Sequence, residues 1–164
     1  MLDMGKLLAE LDDRVNSGCR IWYFQAHPKT KYRVQDRLKE VTVGDTDVWE
    51  INQHKKEIVS GDIALIWSCG EKSGIYALAD IISNPEMLVD SEDSTKHYIH
   101  EEDKLQKRLR VKIRFSLILK NKYIAGEELR RKSLQGTNFR VTESEWLNIS
   151  KVLRKKFESL SLYE

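Results

Sequence analysis

Two groups of residues in this chain have types and spacings that could do chemistry. One is the window His97-Tyr98-Ile99-His100-Glu101-Glu102-Asp103, which brings two imidazoles and three carboxylates together. Those donors suit a divalent cation, yet His-x-x-His lacks the second ligand pair of specific zinc patterns, and the window reads as a solvated loop. The other group is a pair of tryptophans, in Val48-Trp49-Glu50-Ile51-Asn52 and in Gly61-Asp62-Ile63-Ala64-Leu65-Ile66-Trp67-Ser68. An indole is costly to leave in water, and Trp67 closes a strand-like apolar run. A side chain there either fills the core or lines a mouth beside it. The two indoles therefore either plug a small β core or wall a flat aromatic pocket. There is no Walker loop, no Gly-x-Ser-x-Gly elbow and no Gly-x-Gly-x-x-Gly turn, so catalysis has no obvious owner. Cys19 and Cys69 match neither a zinc spacing nor a disulfide framework and read as small buried hydrophobes.

The elements that must position these residues belong to a chain of 164 residues, a length that predicts one domain over 1–164 with 1–18 as an N-terminal helical extension. Hydrophobic residues make up 40% and charged residues 33%, no apolar run approaches a membrane span, and no signal-peptide pattern follows Met1. These features predict a cytoplasmic protein with no membrane partner. The net charge of +2 is too small to announce a polyanion partner, so the distribution of charge matters more than its sum. Acids dominate from Asp90 to Asp103. Lys104, Lys107, Arg108, Arg110, Lys112 and Arg114 follow without an acid among them. Lys29, Lys31 and Arg33 form a second basic cluster, and Lys55 with Lys56 a third; each is either a solvated face or a phosphate contact.

Met4, Leu7, Leu8, Leu11 and Val15 recur at helical spacing and predict an amphipathic helix over about 3–16 that ends near Ser17-Gly18. Cys19 to Gln25 reads as a buried strand that must stop before Pro28, which cannot donate to a ladder. Val34, Leu38 and Val41 suggest a short helix, and Gly44-Asp45 a turn. Strands are expected over 48–52, 62–68 and 74–82, followed by a long polar loop with some helical character over 87–107. Val111, Ile113, Phe115 and Leu117 then alternate with Lys112, Arg114 and Ser116, the period-two pattern of a strand with one buried and one basic face. Thr142-Glu143-Ser144-Glu145 is a capping box, and Trp146, Ile149, Leu153, Phe157 and Leu160 mark a closing helix. This order gives a mixed α+β domain, a curved or barrel-like sheet flanked by helices.

Taken in order, Trp22-Tyr23-Phe24-Gln25-Ala26-His27-Pro28-Lys29, Val48-Trp49-Glu50-Ile51, Gly61-Asp62, Ile66-Trp67-Ser68, Gly74-Ile75-Tyr76-Ala77 and Gln135-Gly136-Thr137-Asn138-Phe139 ahead of Trp146 resemble the EVE domain. The resemblance implies a PUA-like curved β barrel related to YTH domains, with N- and C-terminal helices and a pocket for one nucleobase. It implies a non-enzymatic module that reads a modified base, a modified cytosine in DNA foremost, with RNA as the other target and no cofactor. EVE domains often occur fused to nucleases or ATPases, so an effector nuclease or ATPase would act on this chain's target in trans. Trp49 and Trp67 would stack on the base. Ser68, Ser73, Gln135, Thr137 and Asn138 would read its edge, Gly74 would allow close backbone approach, and Tyr23, Tyr76 or Phe139 would supply a further cage wall. Lys29, Lys31, Arg33, Lys55, Lys56 and Arg110 would hold flanking phosphates. The alternatives are an RNA-modifying or nucleotide-processing enzyme on a PUA-like fold, and a protein-interaction module.

The two cysteines and four histidines have no convergent spacing, so the protein is expected to hold no structural metal. Elemental analysis of untagged protein should find no stoichiometric zinc; one zinc per chain would refute this.

Overall fold

The computed structural model describes residues 3–161, with side chains through Glu158; Leu160, expected on the closing helix, lies outside those side chains. Helix α1 (Met4–Asn16) starts where the Asp3 carboxylate accepts from the Lys6 amide, satisfying one of the donors a helix start leaves open. It buries Met4, Leu8 and Leu11, spaced at three and four residues, and stops at Ser17-Gly18, where Gly18 takes φ +105°. Strand β1 (Ile21–Ala26) ends at His27-Pro28, and the short helix α2 (Val34–Leu38) follows. Then come β2 (Thr46–Glu50), β3 (Ile63–Ser68), β4 (Gly74–Ile81), β5 (Glu86–Leu88), helix α3 (Glu92–Thr95), β6 (Arg108–Ile118), β7 (Ile124–Ala125) and β8 (Asn138–Arg140). Helix α4 (Glu143–Ser161) closes the chain. Its start is the expected capping box, with Thr142 Oγ1 accepting from the Glu145 amide and Glu145 Oε1 from the Thr142 amide, each at 3.2 Å.

The strands form one curled mixed sheet in the order β2-β6-β4-β3-β1-β8, with β5 added on β6 and β7 on β4. β1 and β3 run parallel, Ile21 opposite Ile63 through Ala26 opposite Ser68, and the other pairs are antiparallel. Register shifts at Ile66/Trp67 and at Leu78/Ala79 help bend the sheet. This is the predicted α+β, PUA-like architecture with helices at both ends.

Period-two alternation divides the apolar side chains between two cores. Trp22, Phe24, Ala64, Ile66, Ala77, Val111 and Ile113 pack on one face with Trp49, Tyr32 and Tyr98. Tyr23, Leu65, Trp67 and Ile75 pack on the other, where α1 and α4 supply Leu8, Leu11, Trp146 and Ile149. The two helices are also joined by a hydrogen bond, Trp146 Nε1 donating to Asp12 Oδ1 at 2.9 Å.

The segment between β4 and β6 differs from the solvated loop expected of it. Besides β5 and α3 it buries Asp90, Ser94, Thr95, His97, Tyr98 and Asp103. Its backbone is clasped to 31–33: the Arg33 amide donates to the His97 carbonyl at 2.9 Å and the Ile99 amide to the Lys31 carbonyl at 3.0 Å. Its polarity is that of an internal hydrogen-bond network, which hydropathy alone cannot distinguish from a solvated surface.

Asp62 joins the starts of the two parallel strands. Its carboxylate, nearly out of water, accepts from the buried Trp22 Nε1 at 2.9 Å, from the Arg20 amide at 3.1 Å and from the Val59 amide at 3.3 Å. Asp62→Ala leaves a buried indole N–H without an acceptor and should lower unfolding free energy by about 2–3 kcal/mol. Urea denaturation followed by Trp fluorescence checks this, and an unchanged midpoint would show the carboxylate is not a structural clasp.

Candidate functional site

A depression of about 40 Å³ opens to solvent where β1, β2, the 27–33 turn and the 90–98 segment meet. Trp49, Tyr32 and Tyr98 form its aromatic side. The Trp49 ring is stacked beside Phe24 at 6.1 Å and meets Tyr32 edge-on at 6.2 Å, and Tyr32 lies 4.9 Å from Tyr98. Strand alternation explains the placement of Trp49: Val111 of β6 lies opposite it and the residue turns toward the core shared with Phe24. At 9% exposure it is a core residue with one surface left at the mouth.

Beneath the aromatic rings lies a chain of buried hydrogen bonds. Asp90 Oδ2 accepts from Ser94 Oγ at 2.9 Å and from the Tyr98 hydroxyl at 3.1 Å. Since Ser94 gives its one proton to Asp90, the Tyr32 hydroxyl, 2.6 Å away, donates to Ser94. Burial, reinforced by the nearby carboxylates of Asp47 and Asp90, pushes the Tyr32 phenol well above its ordinary range, and burial with Asp90 does the same to Tyr98. Both are neutral walls at physiological pH. Gln25 completes the floor: its Nε2 donates to the carbonyls of Leu134 and Gly136, and its Oε1, out of water, has no hydrogen-bond partner among the described residues.

The rim carries charge. Lys31 Nζ lies 3.9 Å from both Glu50 and Asp103, and Arg108 pairs with the same two carboxylates. Glu50 and Asp103 are thus matched by cations. The pocket as built, with Lys31, Glu50 and Asp90 in its lining, is more polar than a purely aromatic, neutral cage.

Of the residues singled out from sequence as base contacts, Trp49 and Thr137 line this pocket. Trp67 does not. It lies wholly buried on the opposite face of the sheet, with Nε1 donating to Ser133 Oγ at 2.9 Å, Tyr23 edge-on at 5.9 Å and the Arg131 guanidinium 4.9 Å from its ring. The physical reason is that Trp67 shares the parity of Ile63 and Leu65 along β3, the parity of the helix-covered core. Tyr23 and Phe139 belong to that face too, packed around Arg131, and Tyr76 stacks on Tyr123 away from the pocket. The aromatic residues that stand beside Trp49 in the pocket lining are Tyr32 and Tyr98.

Ser68 is fully buried and accepts from Gln35 Nε2 at 3.3 Å. Ser73 and Gly74 serve the β4–β7 pairing: the Ser73 carbonyl accepts from the Gly126 amide, and a Cβ on Gly74 would stand 2.1 Å from the Ile124 carbonyl oxygen. Gly74 therefore admits a neighbouring strand, with no role at the pocket. Asn138 is a buried clasp, its Oδ1 accepting from the Asn52 amide at 2.8 Å and its Nδ2 donating to the Glu50 carbonyl at 3.1 Å, which holds the end of β2 against β8. Gln135 is exposed and does not line the pocket.

Among the predicted phosphate ligands, Lys31 is at the rim and Lys29 and Arg33 are exposed beside it on the same turn. Lys55 and Lys56 are exposed on the turn after β2 and do not line the pocket. Arg110 is 1% exposed and donates to the carbonyls of Leu88 and Gln106 and to the Tyr98 hydroxyl, so it braces the pocket wall and cannot reach a phosphate. His97 is buried with Nε2 3.0 Å from Glu40 Oε2, and the bonds from His97 and Lys96 hold that exposed carboxyl down at about 2. Among the described residues no three of His, Cys, Asp and Glu converge on a common point that could hold a metal ion.

The polar and aromatic pocket residues that sequence reasoning missed are Gln25, Tyr32, Glu50, Asp90 and Tyr98. A Tyr flanked by basic residues and a Tyr within an acidic window both look like surface. Only the long-range clasp between 31–33 and 97–99 brings them together.

The model of the EVE domain matches residues 20–158. No curated protein sequence matches the chain. Solved structures share the fold. A protein from Leishmania major superposes with a TM-score of 0.53 at 17% identity, over 85% of this chain and 98% of that one. Human THYN1, solved in complex with DNA containing 5-methylcytosine, gives 0.51 at 14% identity over 82% and 97%. Rpa0253 from Rhodopseudomonas palustris gives 0.51 at 15% over 81% and 92%. With the family match running from the residue before β1 into α4, this chain belongs to the EVE domain family.

Proposed function

We propose that the protein binds nucleic acid and reads one modified base, a modified cytosine in DNA foremost, in the pocket of Trp49, Tyr32 and Tyr98. The observation that carries this reading is a buried, unpaired acceptor, Gln25 Oε1, on a residue that lines a pocket whose side is aromatic. A buried acceptor without a partner is costly, and a ligand donor would relieve that cost. Cytosine offers such a donor in its exocyclic amine, and carboxylate or amide oxygens are natural acceptors for it. Stacking on the indole and phenol rings would supply about 1–3 kcal/mol for the base. Human THYN1, with the same fold, was solved on DNA containing 5-methylcytosine, which supports the reading by analogy.

The charge pattern is compatible with a polyanion. Glu50 and Asp103 at the rim are neutralised by Lys31 and Arg108, while Lys29 and Arg33 stand outside on the adjoining turn. In a duplex the base must first leave the stack, at a cost of a few kcal/mol, and phosphate contacts from these cations would hold the flanking strand meanwhile. The role is that of a binding module, and an effector nuclease or ATPase would act in trans.

Trp49→Ala should weaken a modified oligonucleotide by about 1–3 kcal/mol, leave an unmodified one nearly unchanged and keep the salt dependence of binding. Trp49→Phe, which keeps more of the core, should do the same more mildly. Lys29→Ala and Arg33→Ala should instead weaken both oligonucleotides alike and each reduce the salt slope by about one unit. Fluorescence anisotropy on variants whose fold is checked by circular dichroism decides it. Folded Trp49 variants that keep the parent's preference for the modified strand would end the base-reader proposal.

A further inference from the structure

A second concave surface adjoins the first around the 27–33 turn. A cleft of about 570 Å³ runs past His27, Lys29 and Arg33, with Asp36 and Glu71 also in its lining, and shares Gln35 and Lys72 with a groove of about 490 Å³ beyond it. Asp36 and Glu71 are each offset by a lysine, Lys39 at 3.6 Å and Lys29 at 3.7 Å. The groove itself has no carboxylate in its lining. Tyr76 and Tyr123 lie on its wall as a parallel stack, 4.4 Å between centroids and 4° between planes, with Tyr123 the more exposed ring. Lys72 and Lys120 edge it, and neither has an acid within ion-pair distance among the described residues. The Tyr76 hydroxyl donates to the Lys72 carbonyl at 2.6 Å, which ties the lysine loop to the aromatic stack.

Flat aromatic surface beside two unpaired ammonium groups is the chemistry that receives a planar base carrying a phosphate. We propose that this groove binds a nucleotide of the single-stranded segment flanking the base held at Trp49, with the base against the Tyr76–Tyr123 pair and phosphates on Lys72 and Lys120. The cleft along Lys29 and Arg33 would carry the strand between the two sites. The proposal rests on the base-reading role of the Trp49 pocket. A strand is favoured over a free nucleotide because the cations continue from the pocket rim, Lys31, through Lys29 and Arg33 to the groove.

The test compares two probes by anisotropy: a single strand of about 15 nucleotides with a central 5-methylcytosine, and a trinucleotide with the same base, too short to fill both sites. Lys72→Ala/Lys120→Ala should weaken the long strand on the order of tenfold and reduce its salt slope by roughly 1.4, about 0.7 for each lost phosphate contact on a single strand. It should leave the trinucleotide and the preference for the modified base unchanged. Tyr123→Leu should weaken the long strand on the order of tenfold with the slope intact. Parental affinity of both variants for the long strand, or an equal loss for both probes, would overturn the proposal. So would tight binding of dCMP alone to the parent that the variants lose, because the groove would then be a small-ligand site. If the parent shows no preference for the modified base while the variants still lose the long strand, the pocket reading fails and strand binding in the groove stands.

Discussion

The parallel pairing of β1 with β3 is the constraint on which the rest of the molecule depends. With Trp22 opposite Ala64 and Phe24 opposite Ile66, one face of the central sheet is committed to large rings beside small or branched partners. The other face receives Tyr23, Leu65 and Trp67 and is closed by α1 and α4. A one-residue slip in this register would exchange the faces, so Asp62, which secures the beginnings of both strands, has leverage beyond its own hydrogen bonds. Because two helices cover one face, the rings of the other are left to form a mouth.

That mouth exists only because a polar segment folds back on it. The 90–98 stretch reaches the 31–33 turn through backbone pairs and then through Tyr32, Ser94, Asp90 and Tyr98, with Arg110 bracing the far side. The hydroxyls and the carboxylate in that chain answer one another, as interiors require. Two buried atoms around it, Gln25 Oε1 and Arg110 Nε, have no hydrogen-bond partner among the described residues, although the Gln25 amide nitrogen is used by two carbonyls.

Most elements were legible in the sequence, for identifiable reasons. The stripe of Met4, Leu8 and Leu11, the Thr142 capping box and the alternation from Val111 to Leu117 are local signals, and the structure has α1, α4 and β6 there. The order of motifs from Trp22 to Trp146 gave the family, which the match over residues 20–158 bears out. The site was half legible. Trp49 lies at the mouth, but the choice of Trp67 treated two conspicuous indoles as a pair, whereas strand parity sends them to opposite faces. Tyr32 and Tyr98 were invisible because their neighbours are charged, and it is a contact over 66 positions of chain that turns them inward. Arg110 looked like a surface cation on a basic strand. It is drawn inside by the carbonyls of Leu88 and Gln106.

Net charge was equally uninformative, and the pairing pattern explains why. Within the acidic run after Asp90 the buried Asp90 is taken up by internal donors and Asp103 by Lys31 and Arg108, while Glu92, Asp93 and Glu102 stay exposed. Cations left over after that pairing, Arg33, Lys72 and Lys120 among them, lie along the concave surfaces that continue from the aromatic mouth. A near-neutral chain thus presents a locally cationic track. What decides its partner is the residue of charge that folding leaves unpaired, together with the aromatic surface placed beside it.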